Sequence, residues 1–424
     1  MKIGILTFHS QLNYGGVLQC WALQATLEGL GHEVVVMDRW HNVDNSLLER
    51  GYNKYGFLQW VRLWLRSLLG LGDVNCWLRH WRTKKFLGQY IKRTPYHFVA
   101  WKDAPKELGV DMLVVGSDQV WHCGDWGDPR VYLLEGAPSL PAIAYAASFG
   151  MTAIPPWIFS RCEEVEAEPI YRSGLAKFKA ISCRESEGVR LCEELGTKAM
   201  HVVDPTLLLT GSEWRRMIGV KDAEGDESEP RNTRNTRKVA RRGLKVFCYF
   251  LGEDFRKKRP ALAEFARQTA AKINVFIDGG FAAPLPKSLA TAKEWLSVRQ
   301  MRICGNVNVC DSAGPMEFLR ALAEADAVIS DSFHALMFSI VFKKNVRILK
   351  PRSEIRKKMF ARIEEFARHV DGSLVSDGLD AALASIGNEE TVSFDREWIA
   401  DFRAKSMEWL KRSLEGCERV GASE

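Results

Sequence analysis

Residues 325–334 do most to restrict what this chain can fold into. The apolar run Ala327-Val328-Ile329 stops at the small polar residues Ser330-Asp331-Ser332. Phe333-His334 and the helix-forming series Ala335-Leu336-Met337-Phe338 then follow. This pattern reads as a buried strand, a tight turn and a helix N-capped by Asp331 or Ser332. His334 falls in that helix's first turn, among unpaired backbone N–H groups and at the positive end of the dipole. In an open α/β sheet such a turn lies at the carboxyl end of a strand, where ligands bind, and a histidine there can donate a proton to an anion or hold one.

The same alternation runs along the whole chain. Strands are expected at 3–8, 34–38, 111–115, 142–146, 180–183 and 202–203, with helices at 15–30 and 186–195. A polar block, acidic over 222–229 and basic over 231–242, has no apolar periodicity and reads as an exposed linker. Beyond it the pattern restarts: strands at 244–251 and 274–278, helices at 260–272 and 315–324, then the 325–334 unit, a strand at 346–349 and a helix at 353–368. A last amphipathic helix spans about 395–414. Repeated β-α-β order with short loops calls for parallel sheets. The expected organisation is an N-terminal Rossmann-like domain over 1–219, a linker over 220–243, a C-terminal Rossmann-like domain over 244–393 and a C-terminal helix over 394–424.

Residues 52–101 break the pattern. Trp60, Trp64, Trp77, Trp81 and Trp101 are interleaved with Arg62, Arg66, Arg79, Arg82, Lys84 and Lys85. The segment is expected as a helical insertion whose tryptophans pack on the first domain. The alternative is a basic amphipathic helix lying on an anionic membrane surface.

At 424 residues the chain is long for one core, and its 46% hydrophobic and 26% charged residues describe an ordinary globular protein. The net charge of +6 favours an anionic ligand. The ten cysteines form no C-x-x-C pair or metal-ligand spacing, so reduced, buried thiols in a cytoplasmic protein are expected, with no metal site. The apolar stretch at the N-terminus is too short for a signal sequence, and none approaches a membrane span.

Several turn sequences, taken together and in order, resemble the polysaccharide pyruvyl transferase family. They are Lys2-Ile3-Gly4-Ile5-Leu6-Thr7-Phe8-His9 with Asn13-Tyr14-Gly15-Gly16-Val17-Leu18-Gln19, then Gly116-Ser117-Asp118-Gln119-Val120-Trp121, and Tyr145-Ala146-Ala147-Ser148-Phe149-Gly150. Ser182-Cys183-Arg184-Glu185, Asp204-Pro205-Thr206, the 325–334 segment and Arg362-Ile363 follow. The family often has a glycine directly after the histidine where this chain has Ala335.

The resemblance implies a GT-B-like architecture, two Rossmann-like domains facing across a cleft, with the acceptor on the N-terminal side and the donor on the C-terminal side. It also implies phosphoenolpyruvate as donor substrate, no cofactor, and a saccharide diol as acceptor, free or lipid-linked, giving a cyclic pyruvate ketal. Binding so small an anion requires convergent cations and backbone N–H groups. His334 is the candidate general acid and Arg184 the candidate grip on carboxylate or phosphate. Asp118 and Asp331 are candidates for taking the acceptor's proton. Asn13, Gly15, Gly16, Ser117, Gln119, Ser148, Ser332, His9 and Arg362 are the candidate substrate-binding residues.

Plainer roles remain open. Asp331 and Ser332 could cap a helix, Asp118 could order its own turn, Asn13 and Gly15 could shape the first loop, and Arg184 could pair with Glu185 or Glu187. Two other functions also stay in play. One is a nucleotide-sugar glycosyltransferase on the same fold, with Glu317 on a ribose. The other is a non-catalytic binder of polyanions or membrane; no nucleic-acid partner is expected.

Overall fold

The computed structural model describes residues 1–9, 13–39, 74–123, 128–160, 163–220, 243–251, 255–277, 303–304, 306–351 and 354–421. Among them are two seven-stranded sheets. The first comprises β1 (Lys2–Leu6), β2 (Glu33–Arg39), β3 (Arg93–Phe98), β4 (Met112–Val115), β5 (Ala142–Ala147), β8 (Ala180–Cys183) and β9 (Met200–His201), in the order β3-β2-β1-β4-β5-β8-β9. Every pairing in it is parallel. A short antiparallel hairpin, β6 (Trp157–Ser160) with β7 (Glu163–Glu166), hangs outside this sheet.

The second sheet comprises β10 (Lys245–Phe250), β11 (Lys272–Ile277), β12 (Ile303–Cys304), β13 (Val307–Val309), β14 (Ala327–Ser330), β15 (Asn345–Leu349) and β16 (Val375–Ser376). Its order is β12-β13-β11-β10-β14-β15-β16, parallel except for the β12–β13 pair. The central strands are buried along their whole length, which is why they read as unbroken apolar runs rather than as alternations.

Both sheets reverse their winding once, between β1 and β4 in the first and between β10 and β14 in the second. Such switch points open a crevice at the carboxyl ends of the strands. The helices that matter for the site start there or flank it: α1 (Tyr14–Gly29), α2 (Val74–Tyr90), α3 (Ser186–Glu194), α4 (Pro205–Leu208), α5 (Pro315–Glu324), α6 (Phe333–Val341), α7 (Glu354–Ala367) and α8 (Arg396–Gly421).

The two sheets share one apolar seam. Tyr14, at the start of α1, stacks on Phe318 of α5 at 4.4 Å and meets Tyr249 and Phe276 edge-on, and its hydroxyl donates to the Ala313 carbonyl at 2.8 Å. Trp214 packs edge-on against Phe338 of α6. Such aromatic pairs add roughly 0.5–1.5 kcal/mol each beyond the area they bury. The C-terminal helix α8 returns to the first sheet: Ser406 Oγ accepts from the Val203 N–H at 3.0 Å, and Arg403 donates to the Leu207 carbonyl.

The 52–101 segment departs from the expected insertion. Residues 40–73, with Trp60 and Trp64, lie outside the described residues, as do residues 221–242 of the linker expected over 220–243. Residues 74–90 are helical, but the chain then rejoins the first sheet as its edge strand β3, and Trp101 is buried with its indole N–H on the Val131 carbonyl. Trp81 is exposed, with Lys85 over its ring. Arg79 and Arg82 of α2 reach the second sheet's loops, donating to the carbonyls of Ile277 and Ser312. Two of the basic residues therefore bridge the domains. Helix Phe255–Thr269 starts ahead of the expected position and contains Pro260, and β9 lies at 200–201 rather than 202–203.

Candidate active site

The first sheet contributes a cluster of acids around one arginine. Arg184 follows the last residue of β8, and its side chain is wholly buried. Its Nη1 donates to Asp204 Oδ2 at 3.2 Å and its Nη2 to Asp118 Oδ1 at 3.2 Å, while Nε lies 3.5 Å from Glu185 Oε2. Burial works against its charge, but Asp118, Asp204 and Glu185 outweigh that and raise its pKa. The surface pairing with Glu185 entertained from sequence is thus one arm of a buried network.

Asp204 is the hub. As the N-cap of α4 it accepts from the Thr206 N–H and hydroxyl on Oδ1, and from the Ser117 hydroxyl and Arg184 on Oδ2. Burial raises its pKa, yet His334, Arg184 and the Thr206 bonds prevail and hold it below the usual carboxylate range.

Asp118 sits at φ +75°, a region an L-residue enters only when its surroundings over-determine it. They do so here. Its carbonyl accepts from Val120 and Ser148 N–H groups, its carboxylate accepts from Gln119 N–H, and it bridges to Ala147. Ala146 is also left-handed, at φ +54°, where the β5–β8 register shifts. A bulge of this kind re-aims the following residues. Ser148 then donates to Glu185 Oε1 at 2.5 Å.

The second sheet supplies the donors. His334 enters from the first turn of α6, as expected, and is buried. Its ring lies against α1: a Cβ on Gly15 would stand 2.0 Å from His334 Nδ1, so only glycine fits. Its Nε2 is 3.8 Å from Asp204 Oδ2 and meets no hydrogen-bonding partner among the described residues. Burial lowers its pKa, with Arg184 and Arg362 adding to the shift against the pull of Asp204 and Asp118.

Arg362 of α7 also points inward. Its Nε and Nη1 are buried without partners among the described residues, and burial beside Arg184 pushes its pKa down to about 10. The guanidinium groups of Arg184 and Arg362 each lie 5.0 Å from the centroid of the Phe333 ring.

The remaining candidates divide. Gly16 faces Asp118 Oδ2, and Ser117 and Ser148 belong to the network. Asn13 caps α1 through the N–H groups of Gly15 and Gly16. Gln119 packs on Gly150 and shapes its own turn. Ser332 holds the N-cap position without a side-chain capping bond. Asp331 accepts from the Leu251 N–H at the end of β10, and His9 spans the Thr7 carbonyl and Asp38. Sequence reasoning passed over Asp204, Glu185 and Phe333. The signal for Asp204 was present, since an acid between a strand and a Pro-initiated helix is both an N-cap and a crevice residue.

Two Rossmann-like α/β units with facing switch points define a GT-B-like protein. The fold resembles that of UDP-N-acetylglucosamine 2-epimerase from Rickettsia bellii, with a TM-score of 0.51 at 9% identity over 99% of this chain and 97% of that one. The Methanocaldococcus jannaschii UDP-GlcNAc 2-epimerase in complex with UDP-GlcNAc and UDP scores 0.49 at 13% identity, over 98% and 99%. No curated protein matches the sequence. The polysaccharide pyruvyl transferase model matches residues 13–352, and the chain belongs to that family of transferases.

Proposed function

We propose that the protein transfers the pyruvyl group of phosphoenolpyruvate to a saccharide diol, forming a pyruvate ketal on a cell-surface polysaccharide or its precursor. One observation carries the reading: two guanidinium groups from opposite domains converge on Phe333 beside a histidine, and donors of His334 and Arg362 meet no protein acceptor among the described residues. Buried cations are costly unless paired, so such donors suit a small, highly charged anion.

The chemistry follows from the placement. His334 donates a proton from Nε2 to the methylene carbon of the enol ester, leaving an oxocarbenium-like centre at C2. One sugar hydroxyl adds there and loses its proton. The C2–O bond to phosphate then breaks, inorganic phosphate departs with a proton, and the second hydroxyl closes the ketal as it gives up its own. Donor phosphate favours the imidazolium form that the empty-handed site disfavours, so proton uptake and donor binding are coupled. Asp118, strained and facing Gly16 of α1, is the nearer carboxylate for the acceptor's protons. Asp331, held by Leu251, fits a positioning part. Arg184 sits inside the three carboxylates where a divalent cation would otherwise be needed, which supports metal-independent transfer; complete loss of activity in chelator, restored by magnesium, would refute that.

The nucleotide-sugar alternative would place an acid on the ribose. Glu317 instead accepts from the Gly314 N–H as its helix cap and lies 3.6 Å from Arg82, which supports the phosphoenolpyruvate reading. Calorimetric titration with phosphoenolpyruvate and with a panel of nucleotide sugars tests the choice. Binding of a nucleotide sugar but not phosphoenolpyruvate would overturn it. No helix among the described residues is long and apolar enough to cross a membrane. Contact of the basic α2 with the inner membrane face stays part of the proposal, to be checked by vesicle sedimentation with and without anionic lipid.

A further inference from the structure

Helix α7 carries Arg362 and, three residues on, Glu365 on the same face. The Glu365 carboxylate reaches across to the first domain at two points. Oε2 accepts from the Ser186 N–H at 3.3 Å, one of the orphan donors that open α3, and Oε1 lies 3.5 Å from His201 Nδ1. His201 Nε2, in turn, is 3.3 Å from the Arg184 backbone carbonyl. The His201 ring thus lies between the Glu365 carboxylate and the Arg184 carbonyl. Phe402 of α8 packs on its face at 4.7 Å. Glu365 therefore grips the chain at two points next to Arg184: the residue two positions later, and the histidine bound to its carbonyl.

We propose that Glu365 is a positioning residue that sets the spacing between Arg184 of the first domain and Arg362 of the second, and thereby the size of anion the two hold together. The identity of that anion rests on the phosphoenolpyruvate reading, whereas the Glu365 contacts stand without it. A covalent link of three helical residues ties Glu365 to Arg362, and one hydrogen-bonded bridge ties it to Arg184. Loosening that bridge lets the two guanidinium groups drift apart while Arg184 keeps its carboxylates.

The test is a double-mutant cycle on anion affinity in the full-length protein. Dissociation constants for phosphoenolpyruvate and for inorganic phosphate are measured for wild type, Glu365→Gln, Arg362→Met and the double variant, with Glu364→Gln as an exposed control. Glu365→Gln should weaken phosphoenolpyruvate binding about tenfold, a coupling within the range of interacting neighbours. It should raise KM for the donor more than it lowers kcat, and Glu365→Asp should recover part of the loss. In the Arg362→Met background the same change should cost little more. Equal losses in both backgrounds, or a lowered Tm with unchanged donor affinity, would mean that Glu365 only fastens the domains. Phosphate binding without phosphoenolpyruvate binding in wild type would sink the donor reading while the cycle, run on phosphate, still decides the positioning role. Failure to bind either anion would overturn both.

Discussion

The two halves of the site differ in how their polar atoms are satisfied. The first domain's acids are largely tied down: Asp204 accepts four hydrogen bonds, Asp118 holds Arg184 and its own turn, and Glu185 Oε2 and Arg184 Nε, though without a hydrogen bond, face each other at 3.5 Å. The second domain's cations are not. His334 Nε2 and Arg362 Nε and Nη1 have no acceptor among the described residues. One half is therefore a scaffold whose order exists before any ligand arrives, and the other is the part that a ligand completes. Mutations should separate the two, costing stability on one side and chemistry on the other.

The largest effect is expected on the scaffold side. Asp204→Ala removes the hub, leaves Arg184 and Ser117 short of an acceptor and strips the α4 cap. Breaking a buried pair from one side costs about 3–5 kcal/mol. Chemical denaturation should show this as a lower midpoint with or without donor. Asp204→Asn, which keeps the shape, should lose less. A native-like midpoint for Asp204→Ala would show the first half to be no scaffold.

On the ligand side His334→Ala should leave the fold intact and lower kcat roughly a hundredfold or more, as for a lost general acid. Gly15→Ala should mimic it without removing any polar atom, because the added Cβ would fall 2.0 Å from His334 Nδ1 and must displace the ring. Turnover assays on both variants check the pairing. If Gly15→Ala transfers pyruvate at the native rate, the position of that ring is not what catalysis uses.

Arg362→Met sharpens the contrast, because its two effects should have opposite signs. Two buried guanidinium nitrogens without acceptors disfavour the folded state, so replacing the side chain by an apolar one should raise stability by about 1 kcal/mol. Donor affinity should fall at the same time, with Arg362→Lys falling short of wild type because an ammonium cannot repeat a planar fork. Parallel Tm and calorimetric measurements decide. A lowered Tm would place Arg362 with the scaffold.

How much of this was legible beforehand follows the same division. The strand-turn-helix at His334 and the parallel βα units could be read, since unbroken apolar runs ending in small polar residues have few other solutions. The strand ends carrying Arg184 and Asp118 could be placed for the same reason. Their partnership could not, because Arg184, Asp118 and Asp204 are brought together by sheet order and by a bulge at Ala146 that no local pattern marks. β3 was missed because Arg93–Phe98 is an edge strand with alternating burial inside a Trp- and Arg-rich stretch that reads as helix. Asp331 and His9 sit at strand ends like the others; only tertiary contacts show them serving Leu251 and Asp38.

The smallest expected effect is a pH dependence that changes sign with the ligand. Burial holds the His334 pKa below its ordinary value, so in the ligand-free protein it stays neutral where the unfolded chain has already taken up a proton. Stability then falls as pH drops below about 6.5, at no more than about 1.4 kcal/mol per unit from this one group, until the folded-state pKa is reached. His334→Gln should flatten that part of the curve. With phosphoenolpyruvate bound, the phosphate favours imidazolium, so wild type should take up more protons on binding near neutral pH than His334→Gln, which reports the ligand's own titration. Calorimetry in buffers of different ionisation enthalpy measures the difference. Equal uptake by the two proteins would mean that His334 does not face the donor's charge, and the ligand-completed half of the site would then have to be built around Arg362 alone.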